Sequence, residues 1–509
     1  MATPAQLNLA EYFLSARLGE GSGEKVALIT DAGSFTYREV DGLASRFGNA
    51  LLRLGVRQEE RVLIALPDTV EFVGALFGAL RIGAVAVMLN PELSQDHLEA
   101  VVAYSRATAA VVHHQHVGQL ERARAGEESP RLLVIGDEAG SHTRFVAEEH
   151  SARLVPAAVH RDDPALWLFS GGTTGPPKAV VQTHRSFANT TDLYAKRTLG
   201  YRPDDLTLSV PKLYFGYATG SNLFFPFAVG ATSILFTAKP TPELVFDLIR
   251  HHRPTILINV PAMVNAMVTA PMAADQDLSC LRLATTAGEA LPESLYHRWK
   301  QTFHVELLDG LGTAEMWHIF VTNRLGDVKP GTLGKVVEGF EVRIRDEEGR
   351  DLPAGETGRL WVRGGSRAWG YWQNLERTQA AFRGEWFVGG DLASLDEDGY
   401  LTHRGRADDA VKVKGKWLNP QEVESCLLEH PAVKECAVIA VEDEAGLLKP
   451  VAFVVPRLPS DHGLEEELQR HVLSRLEPYK HPRKVYLVAG LPQTHLGKVD
   501  RSRLRQLAG

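Results

Sequence analysis

Ala165-Leu166-Trp167-Leu168-Phe169-Ser170-Gly171-Gly172-Thr173-Thr174-Gly175-Pro176-Pro177-Lys178-Ala179-Val180-Val181 sets an apolar, strand-like run against a loop of glycines and hydroxyls that ends in lysine. Glycines let backbone N–H groups approach phosphate oxygens closely, threonine hydroxyls add donors, and Lys178 adds a cation, so the loop suits a polyanion such as a triphosphate. An ordinary polar turn needs fewer glycines and leaves the Pro-Pro-Lys ending unexplained. A Walker A loop is excluded, because its lysine is followed by Ser or Thr at a helix start, whereas Lys178 is followed by Ala179-Val180-Val181. The reading is ATP binding of a different kind.

Working outward, the strand pattern on both sides of this loop recurs along a chain of 509 residues, long enough for about three domains or subdomains. Hydrophobic content of 44% and charged content of 23% are those of a globular protein able to bury a core. The formal net charge of −8 provides no global basic field, which argues against a nucleic-acid partner. Cys280, Cys426 and Cys436 are widely spread without metal-ligand spacing, and residues Met1 to Ala10 contain neither a basic n-region nor an apolar h-region. A reducing, cytoplasmic location is expected. The run from Phe72 to Leu89 is interrupted by Arg81, at a cost of roughly 2.5–3.5 kcal/mol in a bilayer centre, and by Gly83, so it reads as helix, turn and buried strand rather than a membrane span.

Strands and helices alternate. Lys25 to Thr30 reads as a strand, Asp31 to Ser34 as a turn, and Thr36-Tyr37-Arg38-Glu39 as a capping box opening a helix to about Leu54. Arg61 to Pro67 reads as a strand, Thr69 to Ile82 as a helix, Ala84 to Leu89 as a strand and Ser94 to Tyr104 as a helix. This order predicts an α/β fold with largely parallel sheets, whose ligands bind beyond the strands' carboxyl ends. From about Pro330 to Leu401, short apolar stretches between glycine turns predict a β-rich subdomain, and Asn419-Pro420-Gln421-Glu422 predicts a helix start.

Two further clusters are Thr285-Thr286-Ala287-Gly288-Glu289-Ala290-Leu291-Pro292 and Asp309-Gly310-Leu311-Gly312-Thr313-Ala314-Glu315-Met316. With the first loop, and with Trp386-Phe387-Val388-Gly389-Gly390-Asp391, Gly405-Arg406-Ala407-Asp408 and Leu491-Pro492-Gln493-Thr494-His495-Leu496-Gly497-Lys498, the chain resembles the adenylate-forming superfamily of acyl-CoA synthetases, adenylation domains and luciferases. The likeness covers nearly the whole chain, with the motifs in order.

The resemblance implies a large N-terminal domain over 1–407, built of α/β subdomains and a β-rich subdomain, and a small mobile α+β domain over 408–509 carrying a catalytic lysine. It implies ATP, Mg²⁺ and CoA as reactants and activator. ATP would be held by Ser170, Gly171, Gly172, Thr173, Thr174, Gly175 and Lys178 at the phosphates, by the wall Gly288-Glu289-Ala290 and Asp309 at the purine, and by the following Gly310, Leu311, Gly312 and Thr313, the last with its hydroxyl toward a phosphate. Asp391 and Arg406 would take the ribose, Glu315 the Mg²⁺, and Lys498 the carboxylate and phosphate oxygens during adenylation. Asp408 matches the hinge, whose rotation would exchange the Lys498 face for one carrying Lys414, Gly415, Lys416 and Trp417 toward CoA. Two departures stand out: Ala314 replaces the usual threonine before the glutamate, and Leu496 stands where a small hydroxyl residue commonly precedes Gly-Lys.

The aromatic stretch Pro211-Lys212-Leu213-Tyr214-Phe215-Gly216-Tyr217 and the stretch Met316-Trp317-His318-Ile319-Phe320 are similar to the benzoate and 2-aminobenzoate (anthranilate) branch of the CoA ligases. Gly216, Tyr217, Trp317 and His318 would then face an aryl acid, although aromatic stripes and a buried histidine also make ordinary core. Gly216 in place of an alanine would admit an ortho substituent, and His318 would polarise or hydrogen-bond the carboxylate or pack in the core. The expected activity is aryl-CoA ligation: an aromatic carboxylate becomes aryl-AMP with release of pyrophosphate and then an aryl thioester. The alternatives are a stand-alone enzyme loading a carrier-protein thiol and a non-catalytic aryl-acid or nucleotide sensor. Neither a membrane partner nor a nucleic acid is expected, and monomer and homodimer stay open.

Overall fold

In the computed structural model the chain is described over residues 4–123, 129–136, 142–170, 178–289, 291–407, 411–413, 416–418, 420–442, 448–458, 463–492 and 499–508. It divides into two compact units, one of Met1–Ser170, Lys178–Val342 and Val362–Phe387, the other including Arg343–Trp361 and Val388–Gly509.

Two sheets organise the first unit. One has the order Gly370–Tyr371, Lys178–Thr183, Pro164–Ser170, Val85–Met88, Arg61–Ala65, Ala109–His113, Arg131–Ile135, Thr143–Arg144. Pairs from Pro164–Ser170 to Thr143–Arg144 are parallel, whereas Lys178–Thr183 is antiparallel to both its neighbours. The second sheet has the order Lys335–Val336, Ile319–Thr322, Leu307–Gly312, Leu283–Thr286, Ile256–Asn259, Leu206–Ser209, Thr232–Ile234, Val26–Thr30, Gly33–Thr36. It is parallel from Leu307–Gly312 to Val26–Thr30 and antiparallel at both edges. Central strands such as Val62-Leu63-Ile64 and Ile256-Leu257-Ile258 are apolar at every position and buried on both faces, the pattern of parallel strands covered by helices.

Local chemistry sets the helix boundaries. Thr36 accepts from the Glu39 N–H at 3.2 Å while Glu39 accepts from the Thr36 N–H at 2.7 Å, the reciprocal cap that starts helix Tyr37–Arg53. Thr69 caps helix Val70–Arg81. At the end of that helix Arg81, only 2% exposed, ion-pairs with Asp41 and hydrogen-bonds the hydroxyls of Ser15 and Ser45. The charge inside the apolar run is therefore satisfied by protein partners, and no helix among the described residues is long and apolar enough to cross a membrane. The expected turn over Asp31 to Ser34 is shorter than its composition suggests: Gly33–Thr36 is already a strand, paired with Val26–Thr30.

Residues 330–401 contain strands Glu341–Arg345, Gly358–Arg363 and Trp386–Leu395, as the sequence reading expects, but also helix Leu375–Ala381, which it missed. Asn374 starts this helix by accepting from the Arg377 N–H at 3.1 Å. Within the second unit, residues 388–395 run antiparallel to Leu401–Arg406, and a sheet of Val433–Glu442, Leu448–Pro456 and Lys484–Leu487 packs Val438, Val454 and Val485 with Val423 and Leu427 of helix Pro420–Leu428 and Leu468 of helix Leu464–Leu473. The expected boundary residue Asp408 and the expected helix cap Asn419 lie outside the described residues.

Thr36→Ala is expected to speed amide exchange in the first turn of helix Tyr37–Arg53 about fivefold, equivalent to the roughly 1 kcal/mol of a lost N-cap, as read by hydrogen–deuterium exchange.

Candidate active site

Three parallel strands of the second sheet, two of them adjacent and the third beyond Ile256–Asn259, deliver segments to the carboxyl ends of the sheet. Leu206–Ser209 leads into residues 210–217, Leu283–Thr286 into Gly288 and Glu289, and Leu307–Gly312 carries Asp309. Thr286 stands directly opposite Asp309 in the register. Asp309 is 4% exposed; its Oδ1 accepts from the Gly310 N–H at 3.0 Å and its Oδ2 from the Leu291 N–H at 3.3 Å. Burial pushes its carboxyl up to about 8, only partly offset by those two donors. Beside it, Gly288 has φ +98° and would meet nothing with a Cβ, so this wall opens outward, and Glu289 is exposed. The buried Thr286 Oγ1 has no hydrogen-bond partner among the described residues.

The Gly310-Leu311-Gly312 pattern has a packing cause. A Cβ at Gly312 would lie 2.3 Å from the His318 carbonyl oxygen, and one at Gly310 would lie 3.0 Å from that of Val321. The strand must pass bare against the returning chain, because residues 313–318 reverse direction into the antiparallel strand Ile319–Thr322. In that reversal Thr313 Oγ1 accepts from the Met316 N–H at 3.2 Å, so this hydroxyl serves as a cap and keeps its proton and a second lone pair to offer elsewhere. Trp317 and His318 have φ of +22° and +77°, strained values for side-chain-bearing residues, and each is anchored. The Trp317 carbonyl accepts from Thr190 Oγ1 at 2.9 Å, and the His318 ring donates to the Tyr217 carbonyl.

Glu315, 7% exposed, sits within this reversal; its Oε1 accepts from the Tyr371 hydroxyl at 2.8 Å. Tyr371 lies on the short strand Gly370–Tyr371, opposite Val180 and two residues from Lys178 along the neighbouring strand. The sequence reading missed Tyr371, since only tertiary structure brings a residue 56 positions away to the glutamate. No cluster of three or more metal-ligating side chains occurs among the described residues. One hard carboxylate nonetheless fits Mg²⁺, which keeps several waters and takes much of its coordination from substrate phosphates.

The aromatic residues split into two groups. Trp317, 1% exposed, packs 4.2 Å from Phe187 and 5.8 Å from Phe225, and belongs to the core behind the site. Tyr217 is half-buried, with its hydroxyl 2.8 Å from Thr285 Oγ1 and its ring 5.3 Å from the His318 ring. His318 Nε2 lies 3.0 Å from the Tyr217 carbonyl oxygen, which can only accept, so Nε2 carries the proton; Ser221 Oγ is 3.1 Å from the same nitrogen. Burial holds the ring at about 3, hence neutral, and leaves Nδ1 as a buried acceptor without a partner among the described residues. A bare Nδ1 does not donate to a carboxylate. A Cβ at Gly216 would meet the Leu168 side chain at 3.1 Å, so this glycine's missing methyl makes room for Leu168.

In the second unit Asp391 faces Arg406 across the antiparallel pair, with Oδ1 3.6 Å from the Arg406 guanidinium and 3.3 Å from His403 Nε2. His403, a further residue the sequence reading missed, continues to Gln421 through Nδ1 at 3.1 Å. Gly171, Gly172, Thr173, Thr174, Gly175, Ala290, Asp408, Lys414, Gly415 and Lys498 lie outside the described residues, as do the side chains of Ser170, Lys416 and Trp417.

Residues 16–372 match the family model of the AMP-binding enzyme, and residues 422–498 match that of its C-terminal domain. The benzoate–CoA ligase of Thauera aromatica is 39% identical over 99% of this chain and 96% of that relative. The 4-hydroxybenzoate–CoA/benzoate–CoA ligase of Rhodopseudomonas palustris is 39% identical over 98% of this chain and 94% of that relative. Among solved structures, the anthranilate CoA ligase AuaEII in complex with anthranoyl-AMP is similar with a TM-score of 0.93 and 37% identity, covering 99% of this chain and 98% of that one.

Because Asp309 keeps its proton in the folded chain up to about pH 8 and an unfolded aspartate loses it near 3.8, folding takes up a proton between those values, and stability falls as pH rises through that window. Asp309→Asn is expected to remove this contribution, so that in urea unfolding the variant gains on the parent protein from pH 5 toward about pH 8 and the gap then levels off. Parallel stability curves would contradict it.

Proposed function

The chain belongs to the AMP-binding enzyme family, and we propose that it is an ATP-dependent aryl-CoA ligase, which joins an aromatic carboxylate of the benzoate or anthranilate type to AMP with release of pyrophosphate and then passes the aryl group to CoA. The observation that carries this reading is likeness to aryl-CoA ligases along the full chain, at 37–39% identity.

The chemistry explains the residue types. A carboxylate repels nucleophiles, so it is activated first as a mixed anhydride with AMP, whose carbonyl a thiol can attack. Adenylation brings two anions together, and stabilising the resulting charge is the main catalytic demand. Lys498 bridges the carboxylate and phosphate oxygens; the match to the family's C-terminal domain runs to this residue. Lys178 and the backbone of 170–175 hold the phosphates, Asp391 and Arg406 the ribose, and Asp309 with the wall 288–290 the adenine. Glu315, steadied by Tyr371, holds Mg²⁺, which when bound supplies positive charge to the phosphates. The 408–509 domain turns about Asp408 to replace the Lys498 face by Lys414, Gly415, Lys416 and Trp417 for CoA.

For the acid, Tyr217 and His318 form the aryl site. The orphaned Nδ1 of His318 matches a ring substituent that donates, such as a 2-amino group, and benzoate offers none. This favours anthranilate over benzoate and replaces the reading in which His318 polarises the carboxylate.

AMP release with CoA from benzoate, 2-aminobenzoate, 4-hydroxybenzoate and octanoate tests the function, and 2-aminobenzoate is expected to give the highest kcat/KM. A preference for octanoate, or thioester formed on a carrier protein and not on CoA, would overturn it. Lys498→Ala is expected to lower adenylation by about 100-fold or more while thioester formation from presynthesised aryl-AMP stays within about threefold of the parent protein.

A further inference from the structure

Asp68 is a buried acid that the reaction does not use. It follows the strand Arg61–Ala65 of the first sheet and precedes Thr69, the cap of helix Val70–Arg81. It is 6% exposed, and both its oxygens accept from one backbone donor, the Leu213 N–H, at 3.0 and 3.2 Å. A carboxylate is costly to bury, and here burial raises it to about 7 while Lys212 and the Leu213 N–H oppose the shift. Lys212 is itself held, donating to the Phe236 carbonyl at 2.5 Å with its ammonium 3.5 Å above the Phe236 ring.

The other side of the Leu213 residue is tied as well. Thr219 Oγ1 donates to the Leu213 carbonyl at 2.5 Å and lies 3.0 Å from that of Phe215. Leu213, 0% exposed, is therefore gripped at its N–H from the first sheet and at its carbonyl from the short helix Gly216–Thr219. Between these two grips lie Gly216 and Tyr217. The Tyr217 carbonyl in turn fixes the His318 tautomer, so the position of residue 213 is transmitted to both aryl-site side chains.

We propose that Asp68 is a positioning residue for the aryl acid: by holding the Leu213 backbone it sets where Gly216, Tyr217 and the His318 ring stand. The inference rests on the reading of Tyr217 and His318 as the acid site. Asp68 touches no substrate and acts through the main chain. Asp68→Asn keeps one acceptor for the Leu213 N–H but presents an amide donor where a carboxylate oxygen stood, and Asp68→Ala leaves the N–H buried without an acceptor.

Steady-state kinetics of the full-length enzyme, with 2-aminobenzoate and ATP varied separately, tests this. Asp68→Ala is expected to raise the KM for the acid about tenfold and to leave the KM for ATP within about twofold, with Asp68→Asn showing the same split at smaller amplitude. If Asp68→Ala does not fold, the Asn variant carries the test. Equal changes in both KM values, or no change in either, overturn the proposal. Tyr217→Ala separates this from failure of the underlying reading: if it raises the acid KM while the Asp68 variants do not, Asp68 is no positioning residue; if it leaves the acid KM unchanged, the acid site lies elsewhere and both statements fall.

Discussion

The reversal between strand Leu307–Gly312 and strand Ile319–Thr322 is the constraint on which the rest of the site depends. The chain turns back so closely that residue 312 has no space for a side chain against the His318 carbonyl. Within that turn Thr313 caps, Glu315 is buried against Tyr371, Trp317 enters the core, and His318 is held in left-handed backbone by its bond to Tyr217. One short segment thus sets the distance from the Glu315 carboxylate, bonded to Tyr371, to the His318 ring, packed beside Tyr217. Two successive residues at positive φ cost roughly 1–3 kcal/mol each, a strain that persists because surrounding contacts over-determine it.

Low dielectric is the second theme. Asp309, Asp68 and His318 are each displaced toward the neutral form by burial. A dry, pre-arranged environment strengthens whatever charge or dipole is left to act on a ligand. Burial favours the neutral ring of His318, and with the Nε2 proton directed at the Tyr217 carbonyl, Nδ1 is left as an acceptor, the feature on which the proposed preference for an acid bearing a donor rests.

Much of the fold was legible in the residues. The capping box at Thr36 and Glu39, the helix after Thr69 and the buried strands at 61–65 and 85–88 follow from local periodicity and capping chemistry, and they stand where expected. Helix Leu375–Ala381 did not, because a seven-residue segment with no buried residue carries no apolar face to read. At the site, ordered motifs pointed to Asp309, Glu315, Asp391 and Arg406. Tyr371, His403 and Asp68 were not legible: their partners are 56, 12 and 145 residues away and depend on sheet pairing or packing rather than on any local pattern. The meaning of Gly216 also changed once its neighbour Leu168 was known, since a glycine's missing Cβ is informative only with the atoms around it in view.

The most direct test of the account is a crystal structure of the protein with a non-hydrolysable 2-aminobenzoyl-adenylate analogue. The account predicts the adenine beside Asp309, the aryl ring against Tyr217, and the 2-amino nitrogen within about 3.2 Å of His318 Nδ1. An aryl ring lodged away from Tyr217 and His318, with Nδ1 still without a donor, would contradict it.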